Sequence, residues 1–549
     1  MPSPLSSNVL HAAEGSRAPA DAGADALPEW DLSALYAGMD APDFSADLAA
    51  AGSRAEAFVA EHRGRLADEL AAGGLGATVA SYEAIQELMG RIMSFAGLVY
   101  SGDTTDPRRT KFYGDASEKV TAAATKLLFF ELELNRLDEG DLTGAMEKDA
   151  VLAHYRPWLA DIAKEKPYQL EDRVEELFLE KSVTGAGAWN RLFDETMAGL
   201  RFDVDGESLP IEPTLHLLQE PDGAKRKAAA DALAKTFGDN LRTFTLITNT
   251  LAKDKEISDR WRGFSDIADA RHLSNRVERE VVDALVAAVH AAYPRLSHRY
   301  YALKAKWMGK DRLAYWDRNA PVETTPLPKI GWPEARDTVL DAYGRFSPEM
   351  AAIAKRFFDE NWIDAPTRPG KSPGAFAHPT VPSAHPYVLL NYQGRTRDVM
   401  TLAHELGHGV HQVLAAPNGA LMAPTPLTLA ETASVFGEML TFRSLLDKAE
   451  SPAEKRTLLI SKVEDMINTV VRQIAFYTFE REVHTARRGG ELTSEEIGAI
   501  WMKVQGDSLG PAIDLSAGYE TYWTYIPHFI HSPFYVYAYA FGDCLVNSL

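Results

Sequence analysis

The segment that most restricts this chain runs from Asp398 to Leu414: Asp-Val-Met-Thr-Leu-Ala-His-Glu-Leu-Gly-His-Gly-Val-His-Gln-Val-Leu. Leu402, Ala403, Leu406, Val410, Val413 and Leu414 recur at helical spacing, so the segment reads as a helix covered on several sides. Inside it sits His404-Glu405-Leu406-Gly407-His408, the only H-E-x-x-H in the sequence. Residues four apart on a helix share a face, with Cβ atoms about 5–6 Å apart. Two imidazoles so placed can each give a ring nitrogen to one tetrahedral metal ion, for which Zn²⁺ is the usual occupant. Glu405, one step round the helix, stands beside the open position, where a carboxylate can take a proton from water. Such a helix needs a large apolar surrounding. With 46% of its 549 residues hydrophobic, the chain can supply one.

A hydrolytic site of this kind needs three protein ligands and one free position. Cys544 is the single cysteine, which excludes an intramolecular disulfide and a multi-cysteine metal site, and leaves His or carboxylate as third ligand. The extended pattern H-E-x-x-H-x-x-G-x-x-H is not met: His411 stands at the Gly place and Leu414 at the last His. His411 therefore reads as a packing or supporting residue. Beyond Pro424 and Pro426, a second helix is expected, with Leu429, Val435, Phe436, Met439 and Leu440 apolar. A helix–loop–helix returning to the motif favours Glu431 as third ligand, although Thr428-x-x-Glu431 also fits a capping box. Glu438 lies seven residues on, nearly on the same face, and is a candidate acceptor for a ligating imidazole. Asp398 could serve likewise, and it also suits the start of the motif helix.

Helical periodicity dominates from about residue 43 to 199, with breaks at Gly73-Gly74, between Gly102 and Pro107, and near Gly140. Arg201 to Gly206 reads as a strand entering an Asp-Gly turn, and a lobe boundary is placed there. Helices are expected again over 224–257, 277–308 and 332–361. Short strands are expected over Leu313–Asp317 and over Pro386 to Tyr392, just before the motif helix. The edge of the second is either free to pair with an extended peptide or covered on both sides. The expected division is a disordered tail (1–27), a helical lobe (28–200) and a catalytic metallopeptidase domain (201–549). A net charge of −21 argues against a nucleic-acid partner. No run of about 18 apolar residues suggests a membrane span, and the first residues lack the basic start and apolar block of a secretory signal. A cytoplasmic location fits this pattern.

The run Asp398-Val-x-Thr-Leu-x-His-Glu-Leu-Gly-His-x-x-His411, followed by Ala430-Glu-Thr-Ala-Ser-x-Phe-x-Glu438, resembles the M3 zinc metallopeptidases, and within them the oligoendopeptidase F branch. The likeness takes in Gly374-Ala375-Phe376, Pro386 to Gly394, Ile526 to Phe529 and Pro533 to Ala540. The resemblance implies a mostly α-helical, two-lobed, zincin-type fold with a deep central channel and a small β-sheet beside the zinc-binding helix. It implies one Zn²⁺ per chain on His404, His408 and Glu431, with Glu405 as general base. His528, Tyr535 and Tyr539 are implied to bind the peptide and stabilise the oxyanion, His531 being the weaker choice beside His528. Spacing alone lets Tyr535 to Tyr539 be strand or helix; the resemblance implies helix, and implies that it would run on past Asn547-Ser548-Leu549. The implied activity is hydrolysis of internal bonds in short unfolded peptides. One alternative is a peptidyl-dipeptidase or carboxypeptidase on the same metal core, which would need a cationic anchor that the sequence does not locate. Another is a non-catalytic peptide-binding protein, which would have no use for Glu405. Oligomeric state is not legible.

Overall fold

Helices carry most of the computed structural model, which describes residues 27–548 apart from 183, 323–328, 369, 373 and 517. The tail expected over 1–27 thus lies almost wholly outside the described residues. Pro42–His62, Leu75–Gly102 and Pro107–Leu134 pack against one another around Phe44, Phe58, Phe95, Phe129 and Phe130, all buried. The third starts where local chemistry dictates. Asp106 accepts from the Arg108 amide (2.7 Å), and Pro107 fills the first turn, where its missing N–H costs nothing. Within the stretch of helical periodicity a further break falls after His62, where Gly64 takes a left-handed φ of +77°. The run expected over 332–361 splits into Trp332–Phe346 and Pro348–Asp359, because Ser347 turns extended and caps the second piece through Met350 N–H (3.3 Å).

The Asp205-Gly206 turn forms as its sequence suggests. It joins β1 (Phe202–Val204) to β2 (Glu207–Leu209), with φ of 53° and 88° at the two turn residues. β3 (Leu313–Ala314) pairs in parallel with β7 (Ile513–Asp514), and the rest of the strand expected there is a 3₁₀ turn, Tyr315–Asp317. β4 (Ile363–Asp364), β5 (Phe376–His378) and β6 (Tyr387–Leu389) form a three-stranded sheet in the order β4-β6-β5. The strand ahead of the motif helix, β6, is therefore central and paired on both sides; the edge beside the site belongs to β5. Buried Lys371 ties the sheet ends together, donating to Asp364 Oδ1 (2.7 Å), Pro366 O (2.7 Å) and Leu390 O (2.6 Å). Burial lowers its pKa to about 8, against the pull of Asp364.

Among the described residues two large hydrophobic cores form, each drawn from two stretches of chain, beside a small cluster of Phe442, Ala449 and Leu458. One joins residues from Leu35 to Ile162 with Trp332 to Val410; the other joins Phe193 to Tyr315 with Ile467 to Ala540. The chain leaves the first core after Ile162, enters the second at Phe193 and returns to the first at Trp332. The motif helix belongs to the first core and Tyr535 to the second, so the candidate site lies where the two meet. Among the described residues, no helix is long and apolar enough to cross a membrane.

Candidate metal and catalytic site

The motif helix spans Thr396–Ala415, and Asp398 closes its first turn by accepting from the Gln393 and Arg395 amides, both at 2.9 Å. Asp398 is thus occupied at the helix start and supports no imidazole. Three glycines let helices touch backbone to backbone here. A Cβ on Gly407 would stand 2.6 Å from the Ala433 carbonyl of the next helix, Leu427–Lys448. From that helix, a Cβ on Gly437 would meet the Tyr343 hydroxyl at 2.2 Å, the same hydroxyl that donates to Ala403 O (2.6 Å). A Cβ on Gly542, in the C-terminal helix Tyr537–Ser548, would lie 2.8 Å from the Glu431 Cβ. Real Cβ contacts do not come this close, so side chains at these crossings would push Glu431 away from the histidines.

With the helices so close, His404, His408 and Glu431 each offer a ligand atom, all within 4.8 Å of one another. Glu431 Oε2 stands 3.5 Å from His404 Nε2 and 3.8 Å from His408 Nε2, and accepts from Ser434 Oγ at 3.1 Å. Two imidazoles and a carboxylate aimed at one point are a donor set that fits a divalent cation. The capping box does not form: Thr428 Oγ1 donates instead to Asn275 O (3.2 Å), and Pro426 precedes the helix. Burial pushes the Glu431 carboxyl up, but its hydrogen bond to His404 and the imidazole charges outweigh this and hold it at about 2. Glu405, only 6% exposed, is pushed up to about 7. Burial is the main cause, opposed by His404, reinforced by Glu431 and eased by a hydrogen bond from the Ala377 amide of β5. His408 is lowered to about 4 by burial. Burial also works against charge on His404, yet Glu431 and Glu438 raise it.

Behind His404, Glu438 takes the supporting place expected of it, its Oε2 standing 3.4 Å from Nδ1. Its other oxygen accepts from buried Lys462 Nζ at 2.7 Å, and Lys462 reaches Asp465 at 3.2 Å. Lys462 had no sequence signal, since its partner lies on another helix. His411 stands outside the cluster, with Nε2 3.5 Å from Thr425 Oγ1.

The opposite wall carries the remaining predicted residues. Tyr535 OH donates to Glu431 Oε1 (3.4 Å), and His528 Nε2 lies 3.3 Å from Tyr539 OH. The His528 and Tyr535 rings stack, 5.8 Å between centroids and 3° apart in plane. Tyr535 precedes the last helix, which starts at Tyr537, so the stretch is neither one strand nor one helix. Phe534, in the left-handed region at φ 62°, makes the break. Its amide donates to Glu480 Oε1 (2.8 Å), and Arg271 Nε donates to Pro533 O (3.0 Å). Tyr537 turns away and accepts from Asn275 Nδ2 (2.8 Å), while His531 pairs with Asp194 (2.7 Å). Burial, then the Arg472 charge, depress His528 to about 4, and burial raises both Tyr535 and Tyr539. The wall therefore presents neutral hydrogen-bonding groups near neutral pH.

Residues 345–543 match Peptidase family M3, and residues 133–202 match the family described as Oligopeptidase F. Oligopeptidase PepF of Bacillus subtilis is 28% identical over 508 residues, covering 89% of this chain and 74% of that protein. An oligoendopeptidase F homolog of Lactococcus lactis is 25% identical, over 93% of this chain and 85% of that one. The crystal structure of oligoendopeptidase-F from Enterococcus faecium superposes with a TM-score of 0.69 at 22% identity, covering 92% of this chain and 87% of that one, a likeness of fold.

Proposed function

Since this chain belongs to peptidase family M3 and is a metalloendopeptidase, we propose that it is a zinc-dependent oligoendopeptidase that cuts internal bonds of short unfolded peptides. One observation carries the reading: His404, His408 and Glu431 converge within 4.8 Å beside the buried carboxyl of Glu405. One Zn²⁺ per chain fits two imidazoles and a carboxylate with a fourth position left for solvent. When bound, the ion supplies Lewis acidity toward the attacking water and the scissile carbonyl. Glu405 accepts the proton of that water and delivers it to the leaving amine. Burial raises its affinity for a proton, which favours the first transfer. Tyr535 and Tyr539 donate their hydroxyls to the oxygen that gains negative charge, and His528 hydrogen-bonds that oxygen or the peptide backbone. Glu438, backed by Lys462, fixes the His404 ring. β5 holds the motif helix against the sheet, its Ala377 amide donating to Glu405 and its carbonyl receiving Gln412 Nε2 (3.2 Å). A cytoplasmic setting suits a chain whose lone cysteine can make no internal disulfide.

Glu405→Gln is expected to keep its metal stoichiometry and lose peptide cleavage about 10²–10⁴-fold. Metal analysis and a fluorogenic peptide, assayed with and without chelator, check this. Undiminished cleavage in the variant would remove the base, and cleavage that survives chelation would remove the metal.

A further inference from the structure

Beside the His528 wall the structure holds two arginines, Arg318 and Arg472, each with a buried nitrogen that has no hydrogen-bond partner among the described residues. The helix Pro452–Met466 passes into Gln473–Gly489 through a π-helical segment, Ile467–Arg472. Such wide turns are uncommon and concentrate at functional sites. Asn468 Oδ1, Arg472 Nε and Gln473 Oε1, on or next to this segment, are buried without a hydrogen-bond partner among the described residues. Arg472 Nη2 donates to Tyr525 OH (3.0 Å), and its guanidinium lies 4.8 Å from the Phe476 ring centre. Arg318 Nη1 is likewise buried and unpartnered. Both arginines act on the same two phenols, Tyr301 and Tyr519. The carboxylate that reaches Arg318, Glu464, is already engaged by Lys304 and by Tyr300 OH (2.6 Å). A buried guanidinium nitrogen with no acceptor is unfavourable, in a chain whose net charge is −21.

Arg472 adjoins the site. Tyr525 lies three residues before His528, and the Phe476 ring beneath Arg472 packs on Phe529 at 5.3 Å. The unpartnered donors, Arg318 Nη1 and Arg472 Nε, can each be met by one oxygen of a carboxylate. We propose that Arg318 and Arg472 take the C-terminal carboxylate of a short peptide, holding one end of the substrate while a bond is cut at the metal centre. This rests on the peptide-hydrolase reading above. It also supplies the cationic anchor that the sequence left unlocated, and makes distance from the C-terminus a determinant of the cleaved bond.

The test compares one quenched fluorogenic heptapeptide as free acid, as C-terminal amide, and as an amide ending in Glu. In the wild-type enzyme the free acid is expected to have a kcat/KM about tenfold above the amide, mostly through KM. In Arg472→Met and in Arg318→Met the acid-to-amide ratio should fall toward one, with the melting temperature read alongside to verify folding. Equal rates for acid and amide in the wild type, or a preference that survives both substitutions, would overturn the proposal. An amidated peptide ending in Glu that matches the free acid would also overturn it, and give the two arginines to acidic side chains. Binding of the acid and the amide to Glu405→Gln separates this claim from the catalytic one. An acid preference in binding without wild-type cleavage sinks the hydrolase reading alone, whereas normal cleavage without an acid preference sinks the anchor alone.

Discussion

His404, His408 and Glu431 reach the site from regular helices, whereas His528 and Tyr535 reach it from a stretch broken by a left-handed Phe534. The first wall is positioned by covalent regularity: an i, i+4 pair on one helix, and glycines wherever another helix must approach. The second is positioned from a distance, by Glu480 and Arg271 holding the backbone of Phe534 and Pro533. The difference assigns separate duties. A ligand set tolerates little relaxation, so it is set in close-packed backbone. Donors to a transient oxyanion need aim more than stiffness, and an irregular segment can give two tyrosines different directions. Disturbing the first wall should therefore appear as lost metal, and disturbing the second as lost rate.

Tyr535→Phe should give the larger effect. It removes one hydroxyl from the second wall and leaves the ring that stacks on His528. A drop in kcat of about 10²-fold is expected, with KM within a few-fold and metal content unchanged. Loss of metal in this variant would show that the two walls are not independent, since Tyr535 also touches Glu431.

Gly542→Ala attacks the seam from the other side. The new Cβ would stand 2.8 Å from the Glu431 Cβ and 2.9 Å from its carbonyl carbon, both too close to keep. Overpacking of this kind costs about 1–3 kcal/mol of stability, and Glu431 has to recede from the histidines. Weaker metal retention in a competition with chelator is expected, together with a lower melting temperature. A variant that holds metal normally but turns over slowly would break the division of duties.

How much of this was legible depends on whether a residue's partner lay on its own helix. His404, Glu405 and His408 share one turn, so periodicity alone located them. Glu431 needed a second helix to fold back, and its local rival, the box with Thr428, fails for a reason outside any window: Thr428 spends its hydroxyl on Asn275, more than 150 residues away in sequence. The strand at β6 was visible from its β-rich composition, but whether its edge was free depended on β4 and β5, which the sequence did not set beside it. Tyr535 and Tyr539 could not be assigned to strand or helix because the change occurs between them, after a backbone conformation that no residue type there announces. Lys462 and Glu480 are buried charged residues whose partners sit on other elements, and nothing in their own neighbourhoods marks them.

Glu480 gives the smallest predicted effect and the one that most directly probes how the second wall is held. Its carboxyl accepts from the Phe534 amide through Oε1, while Oε2 is buried without a hydrogen-bond partner among the described residues. Burial raises its pKa to about 8, opposed by that amide and by the Arg271 and Lys255 charges. The folded state therefore keeps a proton that the unfolded chain gives up near the ordinary carboxyl value of 4.5, and stability falls as pH rises from there to about 8, then levels. Only the last unit of that window lies above pH 7, so the wild type should lose ~1.4 kcal/mol relative to Glu480→Gln between pH 7 and pH 9. Gln keeps the acceptor for Phe534 and removes the titration. Paired melting curves across that range should diverge by a degree or two, the variant becoming relatively more stable on the alkaline side. Parallel curves would mean that Glu480 is already ionised in the fold, and that its charge, set against Arg271 and Lys255, holds the loop in place of a neutral hydrogen bond.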